Sequence, residues 1–132
     1  MRVEQLGDGQ PEVAVVGAIH GDEPCGARAI ARILIESPAV ERSVKLVIAN
    51  QEALDRGVRY VDADLNRAFE GDGDPTDHEY GLARRLAGEL AGCTVLSIHS
   101  TQSHPGPFGI VAADSPARAD LARRLPIEAL VE

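Results

Sequence analysis

Apolar residues along the chain alternate between short unbroken runs and stretches where they recur every three or four positions. Glu12-Val13-Ala14-Val15-Val16-Gly17-Ala18-Ile19 is a nearly continuous apolar run, as expected of a strand covered on both faces. Residues 44–49 and 94–99 repeat that pattern, and 108–112 predicts a fourth strand. Between them, residues 22–37 read as a helix, with Cys25, Ala29 and Ile33 and the Ile30/Leu34 pair at helical spacing and Ser37-Pro38 as the stop. Residues 75–92 predict a second helix opened by Pro75 and closed by Gly92, and residues 115–125 a third. Residues 50–74, rich in charge and glycine, predict irregular chain. This alternation predicts a three-layer α/β/α architecture around a central mixed, largely parallel sheet.

With 132 residues the chain makes one domain at most. Met1 to Leu6 lack the apolar stretch of a signal peptide, and no apolar run is long enough to span a bilayer. The expected location is the cytoplasm, with no membrane partner. Two cysteines, Cys25 and Cys93, are too few for a disulfide framework or a Cys-based zinc site. A net charge of −8 argues against nucleic acid, whose phosphates would be repelled. Lys45 is the sole lysine against 21 acidic residues. That bias fits a halophilic cytoplasm, where salt screens a strong negative field, and equally a GC-rich genome that writes Arg for Lys.

Two chemically loaded segments, His20-Gly21-Asp22-Glu23 and His99-Ser100-Thr101, begin where predicted strands end. In open α/β sheets ligands bind in the crevice at the carboxyl ends of the strands. A catalytic zinc takes three His or carboxylate ligands and keeps a fourth position for water. His20-x-x-Glu23 supplies a short-range pair and His99 a distant third ligand. By themselves the pair also reads as a surface histidine beside a helix-start acid, and His99 as a satisfied strand-end histidine. His78 and His104 lie in polar segments and read as solvated. Arg59, Asn66 and Arg67 stand within nine residues and form a ready carboxylate clamp, because Arg offers a rigid bidentate fork. The plainer alternative has Asp64 capping a helical turn and pairing with Arg67 on the surface.

His20-Gly21-Asp22-Glu23, then Arg59, then Asp64-Leu65-Asn66-Arg67-Ala68-Phe69, then Ser97-Ile98-His99 closing a strand, resembles the succinylglutamate desuccinylase/aspartoacylase family. The resemblance covers about residues 13–100. It implies a zinc carboxypeptidase-like fold and one Zn²⁺ per chain held by His20, Glu23 and His99. It further implies that Arg59 polarises the scissile carbonyl, and that Asn66 and Arg67 hold the carboxylate of a small anionic N-acyl amino acid substrate. The implied activity is zinc-dependent hydrolysis of a linear amide.

The family's general base is a glutamate much farther past the third ligand than Glu128 or Glu132. Asp22 stands where many relatives have Asn. The expectation is therefore an N-terminal zinc-binding catalytic domain over residues 1–132 of a longer chain, incomplete at the C-terminus and slow by itself. Two alternatives stay open: a zinc carboxypeptidase acting on peptide C-termini, and a non-catalytic zinc- or carboxylate-binding domain. A serine hydrolase is disfavoured, since there is no G-x-S-x-G elbow.

Overall fold

The computed structural model describes residues 1–71, 74–101, 106–111 and 115–131, in two compact units that divide after Ser100. The first unit is built on a four-stranded sheet of β1 (Arg2–Leu6), β2 (Val13–Gly17), β3 (Val44–Ile48) and β4 (Thr94–Ile98), in the order β1-β3-β2-β4. β2 runs parallel to β3 and to β4, and β1 is antiparallel to β3. The sheet is thus mixed and largely parallel, as the apolar runs predict. β1 is an addition: Arg2-Val3-Glu4-Gln5-Leu6 has only two apolar residues in five positions and no strict alternation, a weak signal beside the continuous runs of its neighbours.

The two faces of the sheet carry separate apolar clusters. On one face Leu46, Ile48 and Ala18 pack with Ala27 and Ile30 of α1 (Cys25–Glu36). The buried positions of α1 are Gly26, Ala27 and Ile30, with Ile33 and Leu34 packing alongside. The predicted stripe through Cys25 and Ala29 is therefore rotated by about one residue. On the other face Val16, Val47 and Ile19 pack with Leu65, Ala68, Leu82, Ala83 and Leu86. These last residues belong to α3 (Leu65–Phe69) and α4 (His78–Leu90). Helices on both faces give the three layers predicted. Leu65, Leu82 and Leu86 are fully buried, and each such leucine stabilises the fold by roughly 1.5–3 kcal/mol relative to an exposed one.

The stretch at 50–74 corrects the sequence reading. It contains two short helices, α2 (Gln51–Arg56) and α3. Their N-cap side chains, Asn50 and Asp64, accept from the Ala53 and Asn66 N–H groups. Such caps hold short helices that apolar periodicity does not reveal. α4 begins at His78, so Pro75 precedes it, and Gly92 follows its end with φ +81°.

The second unit, described by itself, has β5 (Phe108–Ile110) and β6 (Ala129–Val131) paired in parallel, with α5 (Pro116–Arg124) between them in sequence. The predicted fourth strand therefore forms in a separate two-stranded sheet. No helix among the described residues is long and apolar enough to cross a membrane.

Candidate active site

Three backbone features bring the sequence-predicted residues together. β2 ends at Gly17, and the chain then turns sharply through Ala18, a buried residue with φ +54°. A non-glycine residue held in this region is strained, and such strain concentrates at functional sites. The turn aims the ring of His20 into the first unit, where it is 3% exposed. The turn is also packed backbone to backbone. A Cβ on Gly17 would lie 2.5 Å from the carbonyl carbon of Gly26, and one on Gly21 would lie 2.1 Å from that of Ala53. Glycine at 17, 21 and 26 therefore lets α1 and α2 press against the strand end, and the His20–Glu23 turn sits between them.

His99 follows the last residue of β4, which pairs directly with β2. That pairing brings His99 beside the His20 turn, with ring centroids 5.3 Å apart. Glu23 stands between the two imidazoles. His20 Nδ1 is 2.9 Å from Glu23 Oε1, and His99 Nδ1 is 3.0 Å from Glu23 Oε2. The Ser100 N–H donates to Glu23 Oε2 at 3.0 Å. Burial pushes the Glu23 carboxyl upward, but the Ser100 N–H and the two histidines outweigh it and hold the group below the ordinary glutamate value. Glu23 is thus an ionised acceptor.

His20, Glu23 and His99 each offer a ligand atom, all within 4.8 Å of one another. Ligands about 2.0–2.1 Å from a tetrahedral zinc stand roughly 3.3 Å apart, close to the 2.9 and 3.0 Å that separate the Glu23 oxygens from the two Nδ1 atoms. The donor set is two nitrogens and a carboxylate oxygen, the borderline-soft chemistry of zinc. The second ring nitrogens are also provided for: Ser97 Oγ lies 3.0 Å from His99 Nε2, and Asp64 Oδ1 lies 3.4 Å from His20 Nε2. Such outer partners fix the tautomer of a metal-bound histidine. The residues fit the metal.

Arg59 reaches the same point from the segment before α3. Its Nη1 is 3.2 Å from Glu23 Oε1, its Nη2 is 3.1 Å from His20 Nε2, and its Nε is 3.4 Å from Asp64 Oδ2. The Gly21 N–H donates to the Arg59 carbonyl at 3.1 Å and ties this segment to the His20 turn. Asp64 is pushed up by burial but held lower by the Asn66 N–H, His20 and Arg59. Asn66 Nδ2 lies 3.4 Å from His20 Nε2, which puts its amide at the site. Arg67 makes an ion pair with Glu70 at 2.9 Å on the exposed side of α3. Of the predicted clamp, Arg59 and Asn66 converge with the histidines. Asp64 does cap α3, as the plainer alternative had it, but its ion pair is with Arg59 and not with Arg67.

His78 is half-buried at the start of α4, 3.4 Å from Glu52 and away from the cluster. His104 and Glu132 lie outside the described residues. Sequence reasoning missed Glu79, a carboxylate with 0% exposure beside the segment that carries Arg59 and Asp64. An acid at the second position of a helix reads as an ordinary partner of the helix terminus, so its sequence context held no signal.

The catalytic-domain model of the succinylglutamate desuccinylase/aspartoacylase family matches residues 9–131. No curated protein sequence matches the chain. Among solved structures, succinylglutamate desuccinylase from Vibrio cholerae superposes with TM-score 0.72 at 22% identity, over 93% of this chain and 42% of that one. Murine aminoacylase 3 superposes with TM-score 0.69 at 26% identity, over 93% of this chain and 48% of that one. A tripeptide-bound cell shape determinant protein from Helicobacter pylori, Csd4, superposes with TM-score 0.65 at 21% identity, over 89% of this chain and 30% of that one. The chain thus spans less than half the length of each of these proteins. On the strength of a family match that runs through nearly the whole sequence, it belongs to the succinylglutamate desuccinylase/aspartoacylase family and has the zinc carboxypeptidase-like α/β fold.

Proposed function

We propose that the chain is the zinc-bearing part of a hydrolase that cleaves the amide bond of small N-acyl amino acids, with one Zn²⁺ held by His20, Glu23 and His99. The observation that carries this reading is the convergence of two Nδ1 atoms on the two oxygens of one ionised carboxylate, at 2.9 and 3.0 Å. Hydrogen bonds alone would account for the pairing. The acceptors held against the far ring nitrogens and the family membership favour a metal. When bound, zinc supplies Lewis acidity toward an amide oxygen and lowers the pKa of a bound water toward neutrality.

Within this proposal the chain's own residues have separate tasks. Arg59 places a fixed guanidinium where negative charge develops on the carbonyl oxygen, a preorganised contact that strengthens in the transition state. Asn66 donates from its amide to the substrate without a change of protonation. Arg67, at the same helical turn, provides a bidentate fork for the substrate carboxylate once it turns from Glu70. Asp64 Oδ1, 3.4 Å from His20 Nε2, accepts its proton and leaves Nδ1 free as a ligand once Arg59 Nη2, 3.1 Å from the same nitrogen, turns to the substrate.

Support for a small anionic substrate comes from the names of the related structures, a desuccinylase and an aminoacylase. The tripeptide-bound relative supports a second reading, a carboxypeptidase using the same ligands and clamp. Zinc content by mass spectrometry and turnover of N-acetyl and N-succinyl amino acids against tripeptides test the proposal. Zinc with N-acyl amino acid turnover upholds it. Zinc with tripeptide turnover alone selects the second reading, and a protein that takes up no zinc overturns both.

A further inference from the structure

Glu79 is fully buried, yet it touches none of the proposed ligands. Its Oε1 accepts from the Val61 N–H at 2.7 Å and from Asn50 Nδ2 at 2.9 Å. Its Oε2 accepts from the Asp62 and Ala63 N–H groups at 3.0 and 3.1 Å. One carboxylate thus gathers three consecutive backbone donors and a buried amide. Burial pushes this carboxyl up, but the four donors outweigh it and keep it ionised.

The contact is reciprocal. Asp62 Oδ2 accepts the His78 N–H at 2.8 Å and so satisfies the first turn of α4, the helix that carries Glu79. Asn50 completes the arrangement, because its Oδ1 accepts the Ala53 N–H and caps α2, against which Gly21 packs. Residues 61–63 lie between Arg59 and Asp64. The strap they form has no regular secondary structure of its own, so its path depends on these bonds.

We infer that Glu79 is a positioning residue that clasps the 61–63 backbone to α4 and thereby fixes where Arg59, Asp64 and Asn66 meet the His20–Glu23–His99 cluster. Its catalytic meaning rests on the function proposed above, but the clasp itself does not. A carboxylate is needed here because all four donors point inward. An amide in its place would turn an NH₂ toward them and leave buried donors without acceptors.

The test is amide hydrogen exchange of the 132-residue chain, compared with Glu79→Gln and with Asp62→Ala. Asp62 is exposed, so its variant loosens the clasp with little threat to folding. In Glu79→Gln the Val61, Asp62 and Ala63 amides should exchange at least 100-fold faster, while β2 and β3 amides stay within about threefold of wild type. Asp62→Ala should accelerate the same strap amides by about tenfold. Zinc affinity, measured by competition with a chelator, should fall by about tenfold in Glu79→Gln, because Asp64, which faces His20 Nε2, is held in place by the strap. Unchanged strap exchange in both variants overturns the inference. So does equal acceleration throughout the sheet, which marks a merely structural core residue. If Glu79→Gln does not fold, Asp62→Ala decides alone by the same criterion. A wild-type chain without zinc would sink the proposed function and leave the exchange result to judge the clasp.

Discussion

His20 is 3% exposed whereas His99 keeps a side chain 38% exposed, so the two imidazoles contribute differently. His20→Ala empties a buried site among Glu23, Arg59, Asp64 and Asn66 and leaves charges without partners. It should lower stability by about 2–4 kcal/mol as well as abolish zinc uptake. His99→Ala should abolish tight zinc binding with less than about 1 kcal/mol lost in the metal-free protein. Denaturation in urea with and without zinc reads both, and full zinc retention in His99→Ala would show that the third ligand is misassigned. In the active protein, Arg59→Ala should depress kcat more than it raises KM, since its contact strengthens in the transition state. A rise in KM alone would remove Arg59 from the oxyanion. Glu79 gives the expected pH behaviour. Its folded-state pKa lies below the ordinary value, so its contribution is complete above the ordinary carboxylate range and fades as pH falls through the lowered value. Glu79→Gln should therefore show a shallower acid loss of stability than wild type.

At the scale of elements, the close contact between the His20 turn and α2 makes the sharpest prediction. Gly21→Ala forces a methyl into the Ala53 backbone and should cost at least about 3 kcal/mol, read as a drop in the urea midpoint. Gly57→Ala, with nothing within 4 Å of the added Cβ but φ +64°, should cost about 1 kcal/mol. The strands β2, β3 and β4 and the helices α1 and α4 were legible in the sequence, because each of these strands writes an apolar run, even β4 at the exposed sheet edge, and long helices write a stripe. α2, α3, β1 and β6 were not. They are six residues or fewer, and what defines them is a cap or a neighbouring strand that no local pattern records. The site divides the same way. That His20, Glu23 and His99 come together was readable from strand-end placement and motif, whereas Glu79 gathers backbone donors 16–18 residues away in sequence and an amide 29 away.

Across the molecule, 21 acidic residues against 13 basic ones give a net charge of −8. The exposed ion pairs are mostly local, such as Arg32–Glu36 and Arg124–Asp120, and contribute little individually. Repulsion among the remaining carboxylates should relax as salt screens them. If the bias is an adaptation to salt, the melting temperature should climb steeply between low and molar KCl. A flat profile would leave genome composition as the simpler cause.

His20 and His99 meet across paired strands, yet they stand 79 positions apart in the sequence (99 − 20). In polymer terms, an ion held by both closes a long ring, and an unfolded chain closes such a ring only at a large entropic cost. The His20–Glu23 pair, three positions apart, forms no such ring, and an unfolded chain can offer it nearly as well as a folded one. Only ions that also engage His99 discriminate between the two states. Zinc should accordingly raise the unfolding midpoint of wild type by an amount that grows with the logarithm of its free concentration. In His99→Ala that dependence should vanish even at concentrations where the local pair still binds. His99 is therefore the residue that would make the metal a fastener of the fold.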